Sequence, residues 1–321
     1  MNRHYDTSPA APRTNRRDFV KQTLAASAAL AVAPWTSSTA TVATAAEPIA
    51  RTGGPFFKFS LAAYSYRDLL NAKDDRKITL HDFLADCAAM NLDGAELTSY
   101  YFPADFGRDY LCDLKGAAFR LGLDISGTAI RNDLCYPPGE KRSEEIAHVK
   151  KWIEYAEILG APVIRVFSGA ARGGQSFDDA YRLAVEGFEE CCEHAGKHGV
   201  FLALENHGGI STKIEDLVRL VKDVGSPWFG INLDSGNFQA AESVKEAYAG
   251  MELMAPYALN VQIKTKISLA GRKKAETDFA TIAKILKNSG YRGYIVLEYE
   301  ENEPVREACR RYLDELRLAF S

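Results

Sequence analysis

Three apolar runs of this chain end in a carboxylate: VFLALE at Glu205, FGINLD at Asp234 and GYIVLE at Glu298. A fourth run, DGAEL, carries Glu96. A lone carboxylate at an apolar strand end is costly to desolvate and calls for a partner. If such ends converge, the carboxylates repel one another unless a cation lies between them. A hard divalent ion with oxygen ligands is the economical choice. Gln262, in NVQIKTK, would offer its amide oxygen to that ion, and Lys264 falls on the same face of the run. His207, in LALENHGG, would add a ring nitrogen or hold a substrate oxygen. Arg165, in VIRVF, either binds substrate oxygens or pairs with Glu205. Any one of these acids alone reads as a partner for Lys or Arg. Their joint occurrence at several strand tips is what points to a site. Other polar clusters read more plainly. His194 and His198 stand four apart on a helical face turned to solvent, and Glu300, Glu301 and Glu303 suit a loop and helix N-terminus.

The elements that must position these residues recur along the chain. Eight short apolar or β-branched runs follow one another: 59–64, 93–97, 123–128, 162–167, 200–205, 229–234, 258–264 and 293–298. Between them lie amphipathic stretches such as 143–159 and 176–199, several closed by a helix-stopping glycine, among them Gly199. Continuous apolar strands alternating with helices mean a parallel sheet covered by helices. Eight such units suit an α/β fold of the (β/α)8 TIM-barrel type, a single domain over 56–321 after a linker at 46–55. An open doubly wound sheet is the alternative. No strand leads into a dinucleotide-binding glycine fingerprint, and GAARGGQ at 169–175 lacks the required spacing. In a barrel of this kind the strand C-termini form the functional face. The glycines of NHGG let the chain turn sharply there and leave space above the barrel mouth.

Bulk properties narrow the classes. The chain has 321 residues, 46% hydrophobic, enough for a large core. Lys and Arg total 39 against 43 Asp and Glu, so no basic nucleic-acid-binding surface is expected. The N-terminal segment reads NRRDFVKQTLAASAALAVAPW, with Arg16 and Arg17 ahead of an alanine-rich apolar stretch and small residues up to Ala45. This order resembles a twin-arginine export signal over residues 1–45. It implies the twin-arginine export machinery as a partner and a periplasmic or otherwise exported destination. Its removal leaves 34 basic and 41 acidic side chains, net −7. The mature part holds no run long enough to span a membrane. Six cysteines show no C-x-x-C pattern and read as buried thiols, with one disulfide open to an exported protein.

The pieces LALENHGG, GINLDSGNF, NVQIK and GYRGYIVLEYE together resemble the xylose-isomerase-like TIM barrels, the sugar phosphate isomerase/epimerase family, over about residues 56–320. The resemblance implies a divalent metal, manganese first and magnesium, cobalt or zinc after it, held by Glu205, Asp234, the residue at 262 and Glu298. The usual third ligand is a histidine opening an H-x-K pattern; here the pattern reads Gln262-Ile263-Lys264. Asn237 stands where sugar epimerases often place a substrate-touching histidine. The implied chemistry is isomerisation or epimerisation of a small-molecule carbohydrate. The metal acidifies a C–H beside a carbonyl, Glu205 and Glu298 move the proton, and an enediolate forms between them. Glu96, Arg165, His207, Asn237 and Lys264 would contact substrate. The same site would serve a lyase or dehydratase by β-elimination from a 3-keto sugar. A non-catalytic carbohydrate-binding barrel that has lost its metal is the competing class. Export points to an unphosphorylated sugar, keto-sugar or cyclitol. Homo-oligomers are common in the family. A nuclease would need more strand-end histidines and a basic groove.

Overall fold

The computed structural model describes residues 47–321; the twin-arginine motif lies outside them. Eight parallel strands close into a barrel. They are β1 (Phe56–Ala62), β2 (Gly94–Thr98), β3 (Asp124–Ala129), β4 (Val163–Val166), β5 (Phe201–Glu205), β6 (Phe229–Asp234), β7 (Ala258–Ile263) and β8 (Arg292–Leu297). The expected (β/α)8 fold is therefore present, and β1 pairs with β8 from Phe56↔Arg292 to Leu61↔Leu297 to complete the ring. The first strand begins three residues earlier than its apolar run because this pairing starts at Phe56. Tyr64 consequently leaves the strand and enters a 3-10 turn, Ala63–Tyr66.

Among the described residues eight helices of ten or more residues cover the barrel: α1 (Leu80–Ala89), α2 (Arg108–Arg120), α3 (Glu140–Leu159), α4 (Phe177–His198), α5 (Ile214–Val224), α6 (Val244–Met254), α7 (Phe279–Asn288) and α8 (Val305–Phe320). Their starts follow local chemistry. The Ser176 hydroxyl accepts from the Asp179 amide at 3.0 Å, and Thr79 with Asp82 forms a capping box. Gly199 and Gly225 end α4 and α5 in the left-handed conformation that glycine adopts without strain. Their apolar faces pack on the strands; Phe188 of α4 is fully buried, its ring 4.6 Å from that of Phe229.

Two features were not evident from the run pattern. A small antiparallel hairpin, Lys266–Ser268 with Lys274–Glu276, follows β7. The barrel interior also carries a polar layer. The Ser60 and Ser126 hydroxyls meet at 2.7 Å, and the strand register shifts at Ala95/Glu96 and at Ile231/Asn232. Such irregularities re-aim side chains, and here they fall where two polar residues enter the lumen. His194 and His198 lie outside on α4, near Glu154 and Glu157 of α3. The cysteines form no disulfide, and five of the six are buried. Among the described residues no helix is long and apolar enough to cross a membrane.

Phe188→Ala removes a buried ring with little room for collapse. It is expected to cost about 3–5 kcal/mol, read as a lowered urea midpoint with an unchanged slope.

Candidate active site at the barrel mouth

Residues at or just beyond the ends of β1 to β5, β7 and β8 surround a cavity of about 360 Å³, lined in part by Arg165, Glu205, His207, Lys264, Glu298 and Glu300. Glu205, last residue of β5, is buried and doubly held. Its Oε2 lies 2.9 Å from Arg165 Nε, and its Oε1 accepts from Asn237 Nδ2 at 2.9 Å. Arg165 thus pairs with Glu205, one of its two expected roles, while also lining the cavity. Its Nη1 donates to the Ile130 carbonyl at 2.8 Å, and its guanidinium lies 4.1 Å from the centre of the Phe167 ring. Burial pushes the Glu205 carboxyl up, and Arg165 and then Lys264 oppose that push.

Asn206 ties β5 to β6. Its amide donates to the carbonyls of Asp234 and Asn237 at 2.9 and 2.8 Å, and its oxygen accepts from the Asp234 amide at 2.9 Å. This fixes Asp234, whose Oδ1 accepts from the Gly236 amide at 2.7 Å. Asp234 Oδ2 is fully buried with no hydrogen bond of good geometry; its close neighbour is Lys264 Nζ at 3.0 Å. The same ammonium lies 3.2 Å from Glu298 Oε2 and 3.2 Å from Glu300 Oε1. Burial works against this charge, but Asp234, Glu298 and Glu300 outweigh it and hold the Lys264 pKa well above its ordinary value. Burial likewise pushes Asp234 up to about 7 against the pull of Lys264.

Gln262 is turned to a different task from the one expected. Its oxygen accepts from Asn232 Nδ2 at 2.7 Å, and its Nε2 donates to Glu96 Oε1 at 2.6 Å. Asn260 Nδ2 closes the ring by donating to Glu96 Oε2 and Asn232 Oδ1, both at 2.9 Å. Glu96 therefore belongs to this four-membered ring in the lumen and is absent from the cavity wall. Burial pushes its carboxyl up to about 8, with the Glu298 charge adding to the push, while Arg165 and the two amide donors favour the ionised form.

His207 reaches the cavity, its ring 4.2 Å from that of Phe167. Burial, then Arg165 and Lys264, lower its pKa to about 4, so the imidazole is neutral near pH 7. Asn237 touches Glu205 and is absent from the lining. The sequence reading missed Tyr64 and Tyr100, which wall the cavity from the turns after β1 and β2, and Glu300. For Glu300 a signal existed: in VLEYE it alternates with Glu298. For the tyrosines none did, because irregular turns carry no periodicity. The turn after NHGG needs its glycine: at Gly209 (φ +60°) a Cβ would stand 1.9 Å from the Gly169 carbonyl oxygen.

Against known families the chain matches the xylose isomerase-like TIM barrels over residues 84–316. The protein belongs to that family. It is 23% identical over 220 residues to L-ribulose-5-phosphate 3-epimerase UlaE of Escherichia coli, an alignment covering 64% of this chain and 76% of the relative. D-Psicose 3-epimerase from Clostridium cellulolyticum H10 superposes with a TM-score of 0.67 at 15% identity, over 82% of this chain and 99% of that one. The IOLI protein, solved with a binding zinc atom, superposes with a TM-score of 0.65 at 18% identity over 82% and 99%. Both superpositions carry the fold.

The metal pattern of such barrels assigns Glu205, Asp234, the residue at 262 and Glu298, and these side chains do not fit a resident divalent ion as arranged. Gln262 gives its oxygen to Asn232, both Glu205 oxygens are engaged, and Lys264 Nζ sits between Asp234 and Glu298. Among the described residues no three His, Cys, Asp or Glu side chains are grouped to hold a metal ion. The expectation that Gln262 ligates a metal is revised accordingly.

Two measurements test this electrostatic layout. Arg165→Met strands the buried Glu205 charge and is expected to cost about 3–5 kcal/mol in chemical denaturation. Adding Glu205→Gln should recover much of that loss. Glu96 and Asp234 keep protons when folded that they release when unfolded, so their contribution is full below pH about 4 and is lost as pH rises toward 7 to 8. A series of melts across that range should show Glu96→Gln declining less steeply with pH than the parent.

Proposed function

We propose that this protein is a sugar isomerase or epimerase that moves a proton on a carbon beside a carbonyl. The carrying observation is that Glu205 and Glu298 line one cavity together with two fixed cations, Arg165 and Lys264. A carboxylate takes the proton from the C–H, and the electron pair moves onto the carbonyl oxygen to give an enediolate. The ammonium of Lys264 and the guanidinium of Arg165 are preorganised positive charges beside that developing charge and stabilise it electrostatically. A carboxylic acid then returns a proton to carbon, so the reaction is neutral in atoms and charge. Glu298 suits the first role, because among the described residues its second oxygen accepts no hydrogen bond. Glu205, on the same cavity wall, would take the second. His207, neutral, would contact a sugar hydroxyl, and Tyr64 and Tyr100 offer the apolar faces that pyranose and furanose rings pack on.

Several points support an unphosphorylated sugar, keto-sugar or cyclitol as substrate. Arg165 and Lys264 are already committed to carboxylates, and Arg172, behind the wall, is committed to Asp133. Arg131 stacks over Tyr100 at 5.3 Å and is the one lining cation without a carboxylate partner among the described residues. A dianionic phosphate would meet a lining rich in acids. The twin-arginine motif of residues 1–45 agrees, since it argues for export to the periplasm, away from the main pools of sugar phosphates. The names of similar proteins, a 3-epimerase of L-ribulose 5-phosphate and one of D-psicose, support the reaction class. The divalent-ion requirement expected from the motif is replaced in this reading by Lys264.

The test is a panel of free ketoses, 3-keto sugars and inososes in heavy water, followed by proton NMR. The expected result is exchange at the carbon beside the carbonyl, reduced about 10²–10⁴-fold by Glu298→Gln and by Glu205→Gln. Loss of a β-substituent alongside exchange would assign a lyase. Saturable sugar binding with no exchange would overturn the proposal in favour of a binding barrel.

A further inference from the structure

Lys264 is seated too deliberately to be an incidental neighbour. Its ammonium has three N–H donors and three carboxylates around it, at 3.0, 3.2 and 3.2 Å. Those separations are the spacing of ammonium–carboxylate pairs. Oxygens around a divalent ion stand at about 2.0–2.6 Å. The lysine backbone is anchored too: its amide donates to Ser235 Oγ at 2.8 Å, and the Ser235 amide donates to the Gln262 carbonyl at 2.9 Å. The stem has a dedicated channel. A Cβ on Gly236 would stand 2.5 Å from Lys264 Cδ and 2.8 Å from its Cβ, so the glycine leaves the space that the stem fills.

From this geometry we infer that Lys264 is the built-in cation of the site, occupying the position between Asp234 and Glu298 that a divalent ion would otherwise take, and that the two are mutually exclusive. An ion bonded to both carboxylates would fall close to the ammonium, and like charges at such a distance in a buried site repel strongly. Gln262, which could complete an oxygen shell, is locked to Asn232 and Glu96, so the fourth ligand is withdrawn as well. Removing the ammonium leaves Asp234, Glu298 and Glu300 as an uncompensated set of oxygen donors. Such a set favours a hard ion such as manganese(II). The inference concerns the same pocket as the proposed proton transfer but is read by metal binding, so either can fail without the other.

The experiment titrates the chelator-treated full-length protein with manganese(II), following free ion by electron paramagnetic resonance and the melting midpoint in parallel. The parent is expected to show no stoichiometric binding up to about millimolar metal and no shift in midpoint. Lys264→Met is expected to bind one equivalent, about 100-fold tighter than any parent binding, and to gain thermal stability with metal. Gly236→Ala, which crowds the stem from its channel, should move in the same direction with the lysine still present. One tightly bound equivalent in the parent would overturn the inference, and so would a folded Lys264→Met that binds no better than the parent. If Lys264→Met does not fold, the parent titration and Gly236→Ala decide the question.

Discussion

An ionised carboxylate buried without a partner costs several kcal/mol, and this barrel buries Glu96, Glu205, Asp234 and Glu298 at or beside its strand ends. Satisfying those four buried acids, by cations, amide donors or retained protons, organises the functional face. Two cations do most of it from neighbouring strands. Arg165 on β4 holds Glu205 on β5, and Lys264, just past β7, holds Asp234 at the end of β6 and Glu298 just past β8. Among the described residues Glu96 has no cation in contact, and it is satisfied by the amides of Asn260 and Gln262. The loops follow from these pairings. Asn206 locks the β5 and β6 ends so that Glu205 and Asp234 keep their places, and the glycines at 209 and 236 let backbone pass close to neighbouring chain and to the lysine stem.

The polar ring in the lumen and the ion pairs at the mouth form successive layers of one network. The Glu298 charge raises the pKa of Glu96 from above, and Arg165 lowers it. A change of protonation at the mouth is therefore felt in the lumen. Asn260 donates both to Glu96 and to Asn232, Asn232 donates to Gln262 and Gln262 donates to Glu96, so both arms of the ring run from Asn260 to Glu96 and every amide orientation is fixed by that acceptor. Buried networks with every member satisfied hold a unique geometry. That rigidity is what a proton-transfer site needs from its scaffold, since displacements near 1 Å at the reacting atoms are expensive in rate.

The parts of this arrangement legible in the sequence were those in which residue type contradicts its surroundings. A glutamate closing VFLALE or an aspartate closing FGINLD stands out against an apolar run, and eight such runs fix the barrel. The lumen ring was not legible. In a strand buried on both faces, Asn232, Asn260 and Gln262 have no alternation to say which way they point, and the register shifts that aim them are invisible in a linear string. Lys264 was expected to contact substrate, and it lines the cavity. Its true neighbours come from β6 and from the loop after β8, a proximity that only the closed barrel creates. Glu300 was read as a loop residue for the same reason. Tyr64 and Tyr100 lie in short 3-10 turns whose side-chain directions depend on where the preceding strand stops.

A fixed ammonium and a divalent ion do not support the same range of substrates. At equal distance a single charge stabilises a developing oxyanion about half as strongly as a double one, and an ammonium binds one oxygen by hydrogen bonds where a metal grips two. Carbon acids already activated by a free ketone need the least help. Opening a sugar ring and ionising the resulting aldehyde needs more. If the proposed proton transfer relies on Lys264 and Arg165, it would suit substrates that arrive as ketones, such as free ketoses, 3-keto sugars and inososes, better than aldoses.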